Sequence, residues 1–245
     1  MEEVIYYGLF FLMPFAAFLY ASVGHGGASS YLMILALLGF APEEIRPTAL
    51  LLNMMVSMAS FLSYRKAGEF PTRLFWSLIL FSIPAAYWGG TILLDASIYQ
   101  KVLGALLLFP ALKFAGVFPI ADTIQIKRTW WMGPLLGLII GWLSGMIGIG
   151  GGIILTPLVL MLGWAGVKET AALSALFIFL NSVAGFLGAS TYKLPLQEEF
   201  WLLVPLTVMG GILGAYLGAK RFSVKSLKYM LAFVLLFAAV KLLLG

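Results

Sequence analysis

The chain has 245 residues, of which 62% are hydrophobic, and its 15 Lys and Arg against 10 Asp and Glu leave a net charge of +5. Since a soluble domain has roughly 25% charged residues, this chain has too few polar side chains to cover its own surface. The composition predicts an integral membrane protein and excludes a soluble enzyme and a secreted module. The chain has no Cys and one His, so thiolate and multi-His metal sites are excluded and we expect no cofactor. The basic residues lie in short loops, so we expect no nucleic acid partner.

Apolar segments recur along the whole chain, and about 20 apolar residues cross a hydrocarbon core of about 30 Å as a helix. They lie at about 4–23, 28–40, 47–64, 74–94, 98–116, 132–147, 152–164, 170–190, 200–218 and 228–244. A polar stretch with Asp122, Lys127 and Arg128 separates the first five segments from the last five. We therefore expect an all-α, polytopic membrane protein with a first repeat at 1–116, a cytoplasmic linker at 117–131 and a second repeat at 132–245.

The same landmarks recur in both halves in the same order, which indicates an internal duplication. Gly24-His25-Gly26-Gly27 matches Gly148-Ile149-Gly150-Gly151, and Pro84 with Gly89-Gly90 matches Pro205 with Gly210-Gly211. An ordered set of matches is stronger than any one of them in a chain this rich in glycine.

Basic residues cluster in loops that are not equivalent in the two halves. Arg65, Lys66 and Arg73 follow the third segment of the first half, whereas Lys220 and Arg221 follow the fourth segment of the second. Because cytoplasmic loops hold the excess of Lys and Arg, the halves are expected to have opposite orientations. We expect two inverted repeats, each with a Gly-broken or hairpin helix and about three spanning helices, an architecture recurrent in secondary transporters. Both termini are then outside the cell inner (cytoplasmic) membrane.

The second segment of each half is short, and a glycine cluster precedes it. About 13 residues give about 20 Å of helix at about 1.5 Å per residue, too little to span alone. Unwound backbone in hydrocarbon must be buried in protein or line a wet cavity. We therefore expect two broken or hairpin elements that enter from opposite sides, with their glycine clusters adjoining. The alternative is that the glycines only allow close helix packing, which is the preferred interpretation for Gly210, Gly214 and Gly218.

The helix starts that follow the two breaks are suited to binding an oxyanion. Their first N–H groups lack intrahelical partners and carry the positive end of the helix dipole. Ser144 also lies near the second break, and a buried Asn could bond a substrate oxygen or bridge helices. The candidate substrate-binding residues are Ser22, Gly24, His25, Gly26, Gly27, Ser29, Ser30, Asn53, Gly148, Gly150, Gly151, Gly152, Thr156 and Asn181.

Two side chains could contribute charge. His25 is a side chain that titrates near neutrality, so it could carry a coupled proton or donate to an anion. The alternative is a hydrogen-bonded packing residue at the hairpin tip. Arg46 follows Glu43 and Glu44 and could attract anions at an entrance, or belong to a neutralised surface cluster.

These motifs resemble the TauE/SafE permeases over essentially the whole chain. Ala21-Ser22-Val23-Gly24-His25-Gly26-Gly27 and Arg46-Pro47-Thr48-Ala49-Leu50 are similar to the first half of that family. Ser144-Gly145-Met146-Ile147-Gly148-Ile149-Gly150-Gly151-Gly152 with Thr156-Pro157 is similar to the second half. The resemblance implies a prokaryotic membrane permease associated with sulfite and organosulfonates such as sulfoacetate. The first half has Leu32-Met33 where the second has Thr-Pro, so we expect the two binding loops to differ.

The leading hypothesis is a secondary transporter that exports a small sulfur-containing anion by alternating access. A passive anion channel is the alternative, although Gly-broken inverted repeats favour a central occluded site. A membrane-embedded enzyme ranks last, because the spans contain no catalytic constellation. The expected partners are the anion and the lipid bilayer, and a homo-oligomer is left open.

Overall fold

A computed structural model of this protein describes residues 2–37, 42–92, 129–189 and 198–223, with residues 108 and 112 and short stretches between 225 and 240. These residues form helices α1 (Glu2–Ala21), α2 (Ala28–Leu37), α3 (Pro42–Tyr64), α4 (Thr72–Gly90), α5 (Met132–Ile147), α6 (Gly152–Met161), α7 (Val167–Gly188) and α8 (Glu198–Lys220). No strand occurs in the described part of the chain, in agreement with the all-α expectation. The expected segment at 98–116 and the linker at 117–131 lie almost entirely outside the described residues.

Three of these helices are long and apolar enough to cross a bilayer. They cover Glu44–Tyr64, Val167–Gly188 and Trp201–Lys220, and shorter apolar helices cover Gly8–Ala21, Met132–Ile147 and Gly152–Met161. Large apolar side chains also cover much of the outer surface, for example Trp88, Trp142 and Met209. Extended exposed apolar surface is typical of contact with lipid.

Helix α3 starts earlier than the hydropathy pattern predicts. It begins at Pro42 instead of near 47, because a proline fits the first helical turn and acidic residues such as Glu43 and Glu44 favour a helix N-terminus. Arg46 consequently lies within a helix and is buried. The interpretation of this residue as part of a surface charge cluster is therefore wrong.

The first helix of the first half and the fourth helix of the second, α1 and α8, run parallel with their backbones in close contact. A Cβ added to Gly210, Gly214 or Gly218 would meet backbone atoms of Pro14, Phe18 or Ser22, in that order. Glycines four residues apart lie on one helix face and allow this approach. The interpretation of these three glycines as a packing stripe is confirmed.

The reciprocal pair, α4 and α5, packs in the same way. A Cβ added to Gly137, Gly141 or Gly145 of α5 would meet backbone atoms of Leu78, Ser82 or Ala86 of α4. The order of the contacts shows that these helices also run parallel. Each half thus places its first helix against the fourth helix of the other.

The third helices of the two halves, α3 and α7, pack against each other and run antiparallel. Gly68, just after α3, lies against Glu169 in the first turn of α7. At the opposite end, Leu50 of α3 lies near Gly185 of α7. Each also packs against the fourth helix of the other half, α3 on α8 and α7 on α4. Each short helix packs on the third helix of its own half, α2 on α3 and α6 on α7.

Candidate functional site

Two glycine breaks separate α1 from α2 and α5 from α6. Gly24 and Gly148, which follow the longer helices, both have φ of 84°, and Gly27 and Gly151, which precede the short ones, have φ of 93° and 76°. Glycine adopts such left-handed backbone without the cost that a side chain imposes. The short helices α2 and α6 have 10 residues each. The expected break before a short helix is therefore present in both halves.

The two breaks lie against each other in the protein interior. The Nε2 atom of His25 is 3.1 Å from the carbonyl oxygen of Gly152, and since a carbonyl only accepts, Nε2 is the donor in this pair. The Tyr20 ring also packs on the imidazole in a T-shaped arrangement, with ring centroids 6.4 Å apart. His25 therefore connects the first break directly to the start of α6 in the second half, as expected for adjoining glycine clusters.

Matching glycines of the two breaks meet matching positions of the opposite half. Gly24 lies against Ala171 and Gly148 lies against Arg46, and these are the fifth residues of α7 and α3. The contacts are equivalent in position but not in chemistry, because one half offers a methyl group and the other a long cationic side chain.

Asn53 lies between the two breaks and bonds to both. Its Oδ1 accepts from the backbone N–H of Ala28 at 3.2 Å, which caps the start of α2. Its Nδ2 donates to Ser182 Oγ at 2.8 Å and to the Ile149 carbonyl at 3.4 Å. A Cβ on Gly26 would collide with the Asn53 amide, so glycine is needed there for close approach. Asn53 thus bridges α2, α7 and the second break.

The other polar residues predicted around the breaks are buried, and several bond one another. Ser29 donates to the Tyr20 hydroxyl at 2.8 Å, and Thr156 donates to Ser174 at 2.7 Å. Ser22 donates back to the Leu19 carbonyl, and Ser30 lies buried in the first turn of α2. Asn181 is not brought to the breaks by its bonds: it accepts from Ser82 of α4 at 2.6 Å and donates to Phe177.

Three tyrosines and a serine near the breaks were not predicted from the sequence. Tyr31 donates to the Gly26 carbonyl at 2.8 Å, and Tyr64 donates to the Ser22 carbonyl. Tyr20 and Ser182 bond to predicted site residues as described above. A tyrosine within an apolar segment next to a glycine break is the signal that could have indicated them, since a buried phenol needs a partner.

Arg46 is 8% exposed and its guanidinium is held by backbone carbonyls. Nη1 donates to Ile92 at 3.0 Å, and Nη2 donates to Gly145 at 3.0 Å and to Gly90 at 3.4 Å. The carbonyls at a helix C-terminus carry partial negative charge and lack intrahelical donors. Arg46 of α3 therefore joins the ends of α4 and α5, which belong to different halves.

Two buried hydroxyls, Ser144 Oγ and Thr48 Oγ1, have no hydrogen-bond partner among the described atoms. Among the residues that the structure describes, no three His, Asp or Glu side chains lie close enough together to hold a metal ion. The chemistry of the region thus consists of backbone donors, hydroxyls, amides, one imidazole and one guanidinium.

A bundle of apolar helices with two glycine breaks apposed in its interior is typical of a multi-pass membrane protein. The chain belongs to the TauE/SafE family, since the family described as "Sulfite exporter TauE/SafE" matches residues 9–242. The resemblance drawn from the sequence motifs is thereby confirmed.

Two relatives support this assignment. The chain is 35% identical to a probable membrane transporter protein of Sinorhizobium fredii over 96% of this chain and 95% of the relative. It is 26% identical to a probable membrane transporter protein of Methanocaldococcus jannaschii over 77% of this chain and 74% of the relative. No solved structure matches the chain.

Proposed function

We propose that this protein is a secondary transporter that exports a small sulfur-containing anion, such as sulfite or an organosulfonate like sulfoacetate, by alternating access. The observation that carries the proposal is the contact between His25 of one break and Gly152 of the other. It brings two helix starts from the two halves to one buried place, and such starts favour anions. The family is described as a sulfite exporter family, and a relative of this chain is named as a probable membrane transporter. Both descriptions support transport over enzymatic turnover.

The packing supports two inverted repeats, at 1–116 and 132–245. The third helices α3 and α7 are antiparallel, and the contacts of α1 with α8 have their counterpart between α4 and α5. A two-fold axis that exchanges the halves requires this reciprocity. Discontinuous helices at the interface of such repeats hold substrate in secondary transporters.

The positions of basic residues support one orientation in the cytoplasmic membrane. Lys168 Nζ donates to the Ala219 carbonyl, so the start of α7 adjoins the end of α8. The loop after α3 adjoins the same start through Gly68 and Glu169. The basic loops of both halves therefore lie at one end of the molecule, which the excess of Lys and Arg makes the cytoplasmic end. The linker at 117–131 is then cytoplasmic and both termini are outside.

The proposed binding groups are the backbone donors of the two breaks, Gly24–Gly27 and Gly148–Gly152, with the hydroxyls of α2 and Thr156 around them. Asn53 positions both breaks through its three hydrogen bonds. His25 is the candidate for proton coupling, and Arg46 would raise the local potential for an anion. Asn181 would affect the site only indirectly, through α4, because its side chain accepts a hydrogen bond from Ser82 of that helix.

Reconstitution into proteoliposomes tests the proposal. Uptake of sulfite, sulfate, thiosulfate, sulfoacetate and taurine would be measured with and without an imposed pH gradient. A transporter gives saturable flux and counterflow of the internal anion, whereas a passive channel gives flux without counterflow. Gly150→Val should abolish flux, since its φ of 73° is unfavourable for valine and a Cβ would lie 2.7 Å from Ser182 Oγ.

The matched control is Gly8→Ala, because a Cβ at Gly8 meets nothing within 4 Å. Normal flux through Gly150→Val would exclude this location, and wild-type vesicles that move none of the anions would overturn the proposed function.

A further inference from the structure

The two helix starts at the breaks differ in how many of their donors are already used. At the start of α2, the N–H of Ala28 is bonded to Asn53 Oδ1. At the start of α6, no side chain caps the helix, whose N-cap residue is Gly151. The first helical N–H groups, at Gly152 and Ile153, have no intrahelical acceptor by geometry. The second break therefore has an uncapped N–H at the position where Asn53 caps the N–H of the first break.

A buried hydroxyl without a partner belongs to a side chain that lies beside the N-cap residue of α6. Ser144 in the last turn of α5 is fully buried, and its Oγ has no hydrogen-bond partner among the described atoms. Its Cβ lies 3.2 Å from the position that a Cβ on Gly151 would occupy. Ile140 and Phe177 also pack against Gly151. A buried hydroxyl costs free energy unless it finds a partner, so an oxygen ligand that reached both Ser144 and the start of α6 would satisfy the hydroxyl and the backbone donors.

We infer that the anion binds asymmetrically, at Ser144 and the start of α6, and that Asn53 excludes an equivalent second site at the start of α2. This inference rests on the proposed function and narrows its binding groups, proposed there for both breaks, to those of the second half. The ligand class is a small oxyanion that presents one sulfite or sulfonate oxygen to the Ser144 hydroxyl and the N–H groups of Gly152 and Ile153. Each chain then binds one anion.

Ile178 of α7 packs against the two glycines on either side of Gly151. Its side chain would be 2.8 Å from a Cβ on Gly150, and it also packs directly on Gly152. We expect this side chain to restrict the space for an anion at the start of α6. A smaller residue at position 178 should therefore admit a larger sulfur anion.

The test compares KM values for sulfite and sulfoacetate flux in proteoliposomes. Ser144→Ala should raise KM about tenfold, because a hydrogen bond to a charged group is lost, without lowering the Tm of the protein. If Ser144 had only a structural role, Ser144→Ala would leave KM unchanged and lower the Tm. Thr207→Val is the matched control, since its buried hydroxyl is bonded to Leu203 of its own helix.

A second variant keeps the inference testable if Ser144→Ala folds poorly. Ile178→Ala should increase kcat/KM for sulfoacetate relative to sulfite several-fold. An unchanged KM in Ser144→Ala, or an unchanged selectivity in Ile178→Ala, overturns the inference while wild-type flux leaves the proposed function standing. Absence of wild-type flux for both anions overturns the proposed function and this inference together.

Discussion

Gly68 lies against Glu169: a Cβ added to the glycine would be only 3.1 Å from the Cγ of the glutamate. This contact joins the end of α3 to the beginning of α7. Glu169 also accepts from the N–H of Gly166 at 2.8 Å, which fixes the start of α7. Because α3 and α7 are the third helices of the two halves, the contact makes them antiparallel and supports opposite orientations of the halves.

The orientation predicts which residues a membrane-impermeant thiol reagent can reach. The chain has no Cys, so single substitutions give labelling without background. Arg73→Cys and Arg221→Cys should be labelled only from the cytoplasmic side, and Thr91→Cys at the end of α4 only from outside. All three positions are exposed. Labelling of Arg73→Cys and Arg221→Cys from opposite sides would show that the basic loops do not share one end.

The glycine stripe of α8 predicts a loss of stability on minimal enlargement. A Cβ on Gly214 would collide with the backbone of Phe18, which cannot turn aside as a side chain can. Gly214→Ala should therefore destabilise the protein by about 1–3 kcal/mol, as overpacking does. Thermal unfolding in detergent measures this as a lower Tm. Gly8→Ala is the control and should hold or raise Tm, since alanine favours a helix by about 1 kcal/mol over glycine.

The buried Arg46 predicts that its shape matters as well as its charge. A lysine retains the positive charge but cannot donate in a planar fork to carbonyls on two helices. Arg46→Lys should lower the free energy of unfolding by about 2 kcal/mol, the scale of a hydrogen bond to a charged group. Arg73→Lys, on the exposed surface, is the control. A Tm for Arg46→Lys equal to that of the wild type would mean that the three carbonyl contacts contribute nothing to stability.

His25 predicts a pH dependence that a hydrogen-bonding substitute separates from structure. Flux of sulfoacetate, whose charge is fixed, should vary with pH around neutrality if His25 carries a coupled proton. His25→Gln keeps a donor for the Gly152 carbonyl but does not titrate, so it should flatten the pH profile. The measurement is proteoliposome flux at several internal and external pH values. A wild-type profile in His25→Gln would leave His25 as a residue that joins the two breaks.

Local chemistry accounts for most of what could be predicted from the sequence. A run of apolar residues satisfies its backbone bonds internally as a helix, so the composition alone indicates an all-α membrane protein. A glycine cluster can adopt positive φ without strain, so the breaks before α2 and α6 could be located to within a few residues. The sequence also predicts a repeat, because the same landmarks recur in the same order in both halves.

The tertiary structure decided how these elements use their polar groups. Asn53 bonds to residues 25, 96 and 129 positions away in the chain, and Arg46 bonds to a carbonyl 99 positions away. Hydropathy and local spacing carry no information about partners at such separations. The sequence could therefore indicate that a buried Asn and an Arg matter, but not that one caps α2 and the other ties two helix ends together. The difference between a capped and an uncapped break arises in the same way, because two glycine breaks of similar sequence are capped or left uncapped according to the helix packed against them.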